Sequence, residues 1–395
     1  MKVLLAHNYY QQRGGEDEVF ANEGAILEAH GHQVVCYTAH NDQIAGLRAL
    51  TLARNTIWNR ATYEKLRSLA RESRPQVAHF HNTFPLISPA AYQAAKEEGV
   101  PVVQTLHNYR LLCPNALFFR DGRVCEDCMG KALPWPGVVH ACYRESRVAS
   151  GVVAGMLSVH RASDTWKNVD MYVVPTRFAR NKFVEGGLPE SKITVKPNFV
   201  HPDPGLGSGG GGYALFVGRL SVEKGINSLI AAWRHIRGRL PLKIVGDGPL
   251  ATDVKNAAAR IEGVEWLGRK SAKEVYELMG EASMLVIPSE CYETFGRVAA
   301  EALAKGTPVI AADTGAVAEM VEHGRTGLVF RYGVLQDFVA QLEWALAHPQ
   351  RLAAMRREAR AEFEAKYTAE HNYRMLMKIY ESIIDRHAAH LSVPG

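Results

Sequence analysis

Two glutamates eight residues apart, Glu293 and Glu301, flank Gly296 in the most chemically informative segment of this chain. The apolar run Met284–Ile287 precedes them and predicts a buried strand, and Val298–Lys305 has the spacing of a helix. We therefore expect Glu293 in a strand-to-helix loop and Glu301 one turn inside the helix. Ligands of open α/β sheets bind at the carboxyl ends of strands, and helix N-termini favour anions. A phosphate near Gly296 and ribose hydroxyls on Glu301 would give a nucleotide-sugar site.

A second set of charged residues follows the apolar run Tyr213–Val217, where Gly218 and Arg219 are succeeded by Lys224. Arginine suits bidentate contact with a phosphate, and lysine supplies a compact charge, so the two can converge on a diphosphate. An arginine and a lysine in a loop are more often ordinary surface residues. Their place in the same half of the chain as Glu293 favours the phosphate interpretation.

Glycine turns at further strand ends offer backbone groups to a base or a phosphate. Gly246 follows one apolar run, and Gly268 with Arg269 follows another. Each is a weak signal, because glycine after a strand is common in any α/β protein. Arg297, at the start of the predicted helix after Gly296, belongs to the same candidate set.

Near the amino terminus, Gly14 and Gly15 lie between a predicted strand and a helix, where paired glycines let the backbone approach a ligand closely. The pattern is not G-x-G-x-x-G, so it does not predict a nicotinamide site. His107 follows the run Val102–Leu106. A lone histidine is more often structural than catalytic, but one at a strand's carboxyl end is a good candidate for function.

Strand-like runs alternate with helical patterns twice along the chain, which predicts two α/β domains with parallel sheets and right-handed crossovers. The expected strands are Val3–Ala6, Gln33–Tyr37, Val77–Phe80, Val102–Leu106, Met171–Val174 and Ile193–Val195, then Tyr213–Val217, Leu242–Val245, Val264–Leu267, Met284–Ile287, Val309–Ala311 and Gly327–Phe330. We expect domains at residues 1–200 and 213–366, a linker at 201–212, and a terminal helix at 367–395 that returns to the first domain.

Composition excludes several classes of protein. The chain has 395 residues, 47% of them hydrophobic, and no apolar run approaches the roughly 20 residues that span a bilayer. Its start reads as a first strand rather than a signal peptide, so we expect a cytoplasmic protein. The net charge of +5 arises in residues 1–200. A modestly basic half could bind an anionic membrane surface or an acidic acceptor, but an ordinary solvated surface explains it at least as well. No aromatic-interleaved basic stripe indicates nucleic acid.

Four of the six cysteines lie in the segment 109–143, which has no clear helical or strand period. A loop of that length needs something to order it, and C-x2-C with two further cysteines favours structural zinc in a cytosolic protein. Reduced thiols, a redox pair and disulfides are the alternatives. The predicted ligands are Cys113, Cys125, Cys128 and Cys142, whereas Cys36 is expected in the core and Cys291 near the nucleotide.

Taken together, these motifs resemble the retaining glycosyltransferases of family 4, and the resemblance covers nearly the whole chain. It implies the GT-B fold, with two Rossmann-like doubly wound domains facing a cleft. Its specific parts are Gly14 and Gly15, His107, Gly218 to Lys224, the turn at Gly246, and the pair Glu293 and Glu301. The cysteine segment is not shared by the family at large and is expected to shape the acceptor side.

The resemblance implies a role for each matching position. Arg219 and Lys224 would bind the donor diphosphate, Glu301 the ribose, and Glu293 with the backbone at Phe295 and Gly296 the sugar and phosphate. Gly15 would approach the phosphate, and His107 would contact the transferred sugar.

No Asp-x-Asp metal motif stands at a strand end, so no catalytic metal is expected. The donor base (uridine or guanosine) and the acceptor are not decided. His7, Tyr9, Tyr10 and Arg110, near strand ends of the basic half, suggest an envelope saccharide on a lipid carrier. A sugar-nucleotide epimerase, a phosphorylase (which would want a cofactor lysine) and a zinc or thiol binding protein on a retained fold are the alternatives.

Overall fold

The computed structural model describes residues 1–12 and 14–391 of the chain, with the side chains up to Ala389. These residues form two compact units, each built around a parallel six-stranded sheet. The first unit contains residues 1–117, 126–197 and those from 372 onward, and the second contains 118–125 and 198–371.

Every apolar run that predicts a strand forms one, which confirms the alternating α/β pattern. The strands of the described residues are β1 (Lys2–Tyr9), β2 (Gln33–His40), β3 (Val77–Asn82), β4 (Val102–Thr105), β5 (Phe119–Arg120), β6 (Arg123–Val124), β7 (Met171–Val174), β8 (Ile193–Val195), β9 (Ala214–Val217), β10 (Leu242–Val245), β11 (Val264–Gly268), β12 (Met284–Ile287), β13 (Val309–Ala312) and β14 (Gly327–Phe330).

Helices connect these strands and cover the sheets. Those of the described residues are α1 (Gly15–Ala29), α2 (Ala49–Ile57), α3 (Arg60–Ser73), α4 (Ala90–Glu97), α5 (Trp135–Val139), α6 (Arg147–Ala162), α7 (Arg177–Glu185), α8 (Ile226–Ile236), α9 (Ala251–Ala258), α10 (Ala272–Glu281), α11 (Arg297–Ala304), α12 (Gly315–Met320), α13 (Leu335–Ala347), α14 (Pro349–Lys366) and α15 (Ala369–Leu391). None of the helices described is both long and apolar enough to cross a membrane.

The first sheet has the strand order β2-β1-β3-β4-β7-β8. Its strands are rich in valine, leucine and isoleucine because both faces are covered, as parallel sheets require. The final helix α15 packs Leu376, Tyr380 and Ile383 against this sheet, which confirms that the chain returns to the first unit. The pairing of β1 with β3 shifts register between Ala6 and His7, and such irregularities re-aim side chains near functional sites.

The second sheet has the order β11-β10-β9-β12-β13-β14. Chain connections therefore reverse direction between β9 and β12, the first and fourth strands of this sheet along the chain. In open α/β sheets this switch point opens a crevice at the carboxyl ends of the two strands. The strand order alone thus identifies where the second unit would bind a ligand.

Two expectations need correction. The cysteine segment is not featureless, since it holds the hairpin of β5 and β6 and the short helix α5. Cys36 is exposed rather than in the core, because it lies on β2, an edge strand whose outer side chains reach solvent. The carboxyl-terminal part of the described chain consists of α13, α14 and α15, with breaks at His348 and before Ala369.

Candidate functional site

The switch point of the second sheet gathers the charged residues that the sequence singles out. Gly218, Arg219 and Lys224 follow β9, and Glu293 lies in the loop that follows the neighbouring strand β12. The loop and helix positions predicted for Glu293 and Glu301 are confirmed. Arg219 is exposed and makes no ion pair with any residue that the structure describes. Two cations and a carboxylate therefore lie at one edge of the sheet.

Lys224 and Glu293 form a short ion pair, and the hydroxyl of Ser289 donates to the same carboxylate oxygen at 3.0 Å. Burial alone would lower the pKa of Lys224, but the Glu293 charge outweighs it and the pKa is raised. Burial would likewise raise the pKa of Glu293, yet Lys224 and Ser289 hold it below its ordinary value. Both groups are thus ionised at neutral pH, and the lysine offers a fixed positive charge.

Gly296 is the N-cap of helix α11, and its φ of 82° lies in the left-handed region. A Cβ there would meet the side chain of Val317 at 2.6 Å, so only glycine fits this turn without displacement. Arg297, the first residue of the helix, forms an ion pair of 2.9 Å with Glu301 one turn further along, and the Glu301 side chain is mostly buried. The N-terminus of α11 and the Glu301 carboxylate therefore lie within about one helical turn of each other.

The glycine turns after β9, β10 and β11 lie against one another. Gly246 donates its N–H to the carbonyl of Gly268 at 2.8 Å, and a Cβ on Gly246 would overlap the carbonyl of Gly218. Next to Gly268, Arg269 forms an exposed ion pair of 3.1 Å with Asp247, which follows Gly246. The structure thus brings these three turns together at the same sheet edge as Lys224.

Phe295 is buried and packs its ring against Tyr367 at 5.9 Å between centroids, so its backbone is the part available to a ligand. An unexpected neighbour comes from the cysteine segment. The hairpin of β5 and β6 belongs to the second unit, and the Phe118 ring beside it lies 6.1 Å from that of Tyr292. Tyr292 directly precedes Glu293, so this segment contacts the candidate donor loop.

In the first unit, Gly14 caps α1 and donates its N–H to Asp17 at 2.7 Å. Asp17 is also hydrogen-bonded to His7 at 2.6 Å, and both side chains are buried. This chain of contacts fixes the backbone of Gly14 and Gly15. His7 therefore holds the loop from within the core, which is not the acceptor-facing place suggested by its position in the sequence.

His107, directly after β4 and Leu106, is the surface end of a buried histidine cluster. Its Nε2 lies 3.0 Å from Nδ1 of His81, and the two rings stack. Burial holds the pKa of His107 well below its ordinary value. His107 is therefore neutral at physiological pH. A cavity of about 50 Å³ beside both histidines is too small for a sugar ring.

Glu16, in the first turn of α1, is a functional candidate that sequence reasoning missed. Its carboxylate accepts a hydrogen bond from Asn108, the neighbour of His107, at 3.3 Å. Burial raises its pKa to about 7, while hydrogen bonds from Tyr10 and Asn108 partly oppose that shift. A carboxyl that titrates near neutrality beside the Gly14 loop and His107 can exchange protons at physiological pH.

In the part of the chain that the structure describes, the four predicted zinc ligands do not form a metal-binding group. No three of their sulfur atoms lie within 4.8 Å of one another, the spacing that a shared metal ion requires. Cys125 belongs to the second unit and the other three to the first. The Cys113 thiol donates to Asn115 at 2.9 Å, and the Cys128 thiol points to the carbonyl of Pro134 at 3.8 Å.

Further polar and charged residues lie behind His107, and no sequence motif indicates them. Glu23, His79, His81 and Lys196 are all buried in the first unit. A signal does exist, because two histidines alternate within the apolar strand β3 and a lysine directly follows the apolar strand β8. Polar residues at such positions must find partners within the protein.

Two sequence families match this chain. The profile described as Glycosyltransferase Family 4 matches residues 13–204, and that described as Glycosyl transferases group 1 matches residues 206–362. Together they span most of both units and contain the candidate site residues from Gly14 to Glu301.

Individual relatives agree with these matches. An uncharacterised glycosyltransferase of Methanocaldococcus jannaschii is 30% identical over 220 residues, which are 55% of this chain and 61% of that protein. A glycogen synthase of Mycobacterium tuberculosis is 30% identical over 273 residues, 63% of each chain. The chain thus spans less than two thirds of the length of these curated relatives.

A similar fold occurs among solved structures. HepE of Anabaena, crystallised in complex with UDP, superposes with a TM-score of 0.68 at 18% identity, covering 97% of this chain and all of that one. At this identity the likeness concerns the fold, which is the GT-B architecture.

Proposed function

Because the chain belongs to glycosyltransferase family 4, we propose that it transfers a sugar from a nucleotide-activated donor with retention of configuration. The observation that carries this proposal is the arrangement at the switch point of the second sheet. There Lys224, Glu293 and the N-terminus of α11 with Glu301 lie around the ends of two adjacent strands. Such a point binds nucleotides in open α/β sheets.

Each group has a matching part of a nucleotide sugar. Arg219 and Lys224 would bind the diphosphate, and the N–H groups at Gly296 would add hydrogen bonds to it. Glu301 would accept two hydroxyls of the ribose. Glu293, which already orients Lys224, would contact the sugar. The clustered turns at Gly218, Gly246, Gly268 and Arg269 would border the nucleotide with backbone groups, and Arg297 would hold Glu301 in place.

Cleavage of the anomeric bond leaves negative charge on the diphosphate and an oxocarbenium-like sugar. A lysine whose pKa is raised remains cationic through the reaction, so it stabilises the leaving group as a metal ion does elsewhere. We therefore propose a metal-independent transfer. Family resemblance further implies that the backbone of Gly15 contacts the phosphate and that His107 contacts the transferred sugar.

Calorimetric titration with UDP, GDP and ADP, each with and without magnesium, tests the donor site. We expect one nucleotide to bind, with the same affinity in both buffers. In Glu301→Ala the affinity should fall about 10- to 100-fold, because hydrogen bonds to a charged acceptor contribute about 1.5–3 kcal/mol.

Glu343→Ala is the matched control for this experiment. Glu343 pairs with Arg239 at 2.7 Å on the surface of the same unit, so its removal also breaks an arginine–glutamate pair. Its affinity should equal that of the wild type. An equal loss in both variants, or no binding of any nucleotide by the wild type, would refute the assignment.

For the acceptor we propose a saccharide or a lipid-linked saccharide, in the synthesis of cell-envelope polysaccharide. Named relatives that act on sugars, such as the glycogen synthase above, support a saccharide acceptor. Incubation of a labelled nucleotide sugar with and without candidate acceptors distinguishes transfer from epimerisation. An altered sugar nucleotide formed without any acceptor would favour the epimerase instead.

We also propose a cytoplasmic protein that binds the anionic inner membrane surface peripherally. The helices α5 and α6 pack together and leave Trp135, Val139 and Val148 about half exposed or more, with Arg144 and Arg147 beside them. Apolar side chains among arginines suit an anionic lipid surface.

Sedimentation with anionic vesicles at low salt tests the membrane proposal. Trp135→Ser should reduce the bound fraction, whereas Leu206→Ser, at an apolar residue of the second unit that is even more exposed, should not. Failure of the wild type to sediment would remove the proposal.

Structural zinc at Cys113, Cys125, Cys128 and Cys142 stays a prediction, supported by the C-x2-C spacing. The thiol positions would have to change for all four to bind one ion. Elemental analysis of protein purified without chelators checks it, and protein that contains no zinc would contradict it.

A further inference from the structure

Behind His107, the first unit contains a continuous line of buried polar side chains. His107 contacts His81 at 3.0 Å, Nε2 of His81 faces the Glu23 carboxylate at 3.4 Å, and the other oxygen of Glu23 binds Lys196 at 2.5 Å. These residues come from β3, α1 and the end of β8, apart from His107 itself. The line therefore connects four separate segments of the chain.

Two buried atoms in this line are suited to form a hydrogen bond with each other. Oε2 of Glu23 and Nε2 of His81 are both buried, and neither is hydrogen-bonded to any other group of the described residues. They face each other at 3.4 Å. Since a buried donor or acceptor left unpaired costs about 1–3 kcal/mol, a proton between these two atoms is strongly favoured.

The charge of the cluster fixes where that proton lies. Burial would raise the pKa of Glu23, but the adjacent Lys196 ammonium brings it well below its ordinary value, so Glu23 is a carboxylate and can only accept. Lys196 balances its charge. A protonated His81 would add a second buried cation without a counterion, so neutral His81 carries its single proton on Nε2.

The consequence passes directly to His107. With the His81 proton on Nε2, its Nδ1 is an acceptor, and the group 3.0 Å away must donate to it. The neutral His107 therefore carries its proton on Nε2 and has an acceptor nitrogen at Nδ1. The hydrogen bond made by one ring nitrogen thus sets the state of the other.

We propose that His81, held by Glu23 and Lys196, is a positioning residue that fixes His107 in the Nε2–H tautomer, so that Nδ1 accepts a hydrogen bond from a hydroxyl of the transferred sugar. The sugar contact rests on the proposed function, whereas the tautomer rests on the distances and the charge balance within the first unit. His107 is then a hydrogen-bond acceptor in transfer, and it does not donate a proton to the leaving group.

A metal ion does not explain this cluster. Glu23, His79 and His81 are close enough to share one, but the Lys196 ammonium already binds the carboxylate. Both ring nitrogens of His79 are also engaged, with Tyr380 and Thr105, each at 2.7 Å. Because Lys196 and His79 already have these partners, we explain the contact between Glu23 and His81 by its effect on His107.

Nitrogen-15 NMR of the full chain labelled at histidine tests the tautomer directly, because protonated and unprotonated ring nitrogens have well-separated shifts. The His107 signals are identified as those missing in His107→Gln. We expect a proton on Nε2 in the wild type at pH 7.5. A proton on Nδ1 would overturn the proposal, and no donor or acceptor is needed for the measurement.

Variants of His81 test whether it sets this state. His81→Leu removes the acceptor, so the His107 tautomer should become mixed and kcat should fall about 10- to 100-fold. The nucleotide affinity should stay unchanged. His81→Asn places an amide oxygen near the position of Nδ1 and should restore both the tautomer and most of kcat.

The matched control is His160→Asn, at a histidine buried in the same unit and bound to Thr165 and the carbonyl of Ile57. It should alter neither the His107 signals nor kcat. An unchanged His107 tautomer in folded His81→Leu would overturn the proposal. Absence of nucleotide binding by the wild type refutes the proposed function separately, since the NMR result stands without it.

Discussion

Removal of the Lys196 ammonium tests how strongly the buried ion pair with Glu23 stabilises the first unit. Lys196 and Glu23 are each 1% exposed and lie 2.5 Å apart, and Lys196 also donates to Asn372 at 3.1 Å. Breaking a buried ion pair from one side costs about 3–5 kcal/mol, because it leaves an uncompensated charge. We expect Lys196→Met to lower the free energy of unfolding of the first unit by that amount at pH 7.5.

The loss should depend on pH in a definite direction. In the wild type the pKa of Glu23 is depressed, so its stabilisation is present above the unfolded pKa of about 4.5 and is lost as pH falls. Without Lys196, burial raises the pKa of Glu23, and ionisation becomes more costly as pH rises. The difference between variant and wild type should therefore shrink from pH 7.5 to pH 5.

Urea denaturation monitored by a probe in the first unit measures both effects. Lys96→Met is the matched control, because Lys96 pairs with Asp170 at 3.0 Å in the same unit but both side chains are over a quarter exposed. Its cost should stay below about 1 kcal/mol at either pH. Equal losses in the two variants, or a loss in Lys196→Met that grows toward pH 5, would refute the reasoning.

Three further predictions concern other residues. Gly225→Ala should destabilise the second unit by about 1–3 kcal/mol more than Gly324→Ala, as measured by unfolding in urea. Both glycines have a positive φ, but only a Cβ on Gly225 would overlap a backbone oxygen. Burial raises the pKa of Glu16 to about 7, so ionisation opposes folding, and Glu16→Gln should gain relative stability between pH 5 and pH 8 in thermal melts. Alkylation followed by mass spectrometry should modify exposed Cys36 before buried Cys291, and the reverse order would contradict the burial described.

Local patterns in the sequence were sufficient for the elements and for much of the candidate donor site. Apolar runs predict β9 and β12, and the glycine and helical spacing place Glu293 and Glu301 correctly on the loop and in α11. These features are readable because each depends on residues close in sequence. A strand of four apolar residues or a left-handed glycine turn is specified by its own few side chains.

The buried cluster behind His107 could not be predicted in the same way. Glu23 and Lys196 are 173 residues apart, and nothing near either residue indicates the other. Similarly, the spacing of the cysteines suggests zinc, but it contains no information on how far apart the folded chain holds their sulfur atoms. Cys36 looked like a core residue because its strand is apolar, whereas exposure depends on the place of β2 at the edge of the sheet.

The sequence by itself therefore determined the two α/β units, their strands, and the charged groups at the ends of β9 and β12. Only the tertiary structure decided that Lys224 pairs with Glu293, that His7 holds the Gly14 loop from inside, and that His81 faces His107. The physical reason is that hydrophobic periodicity records which face of an element is buried, while pairing between charges depends on distances that only the packed chain defines.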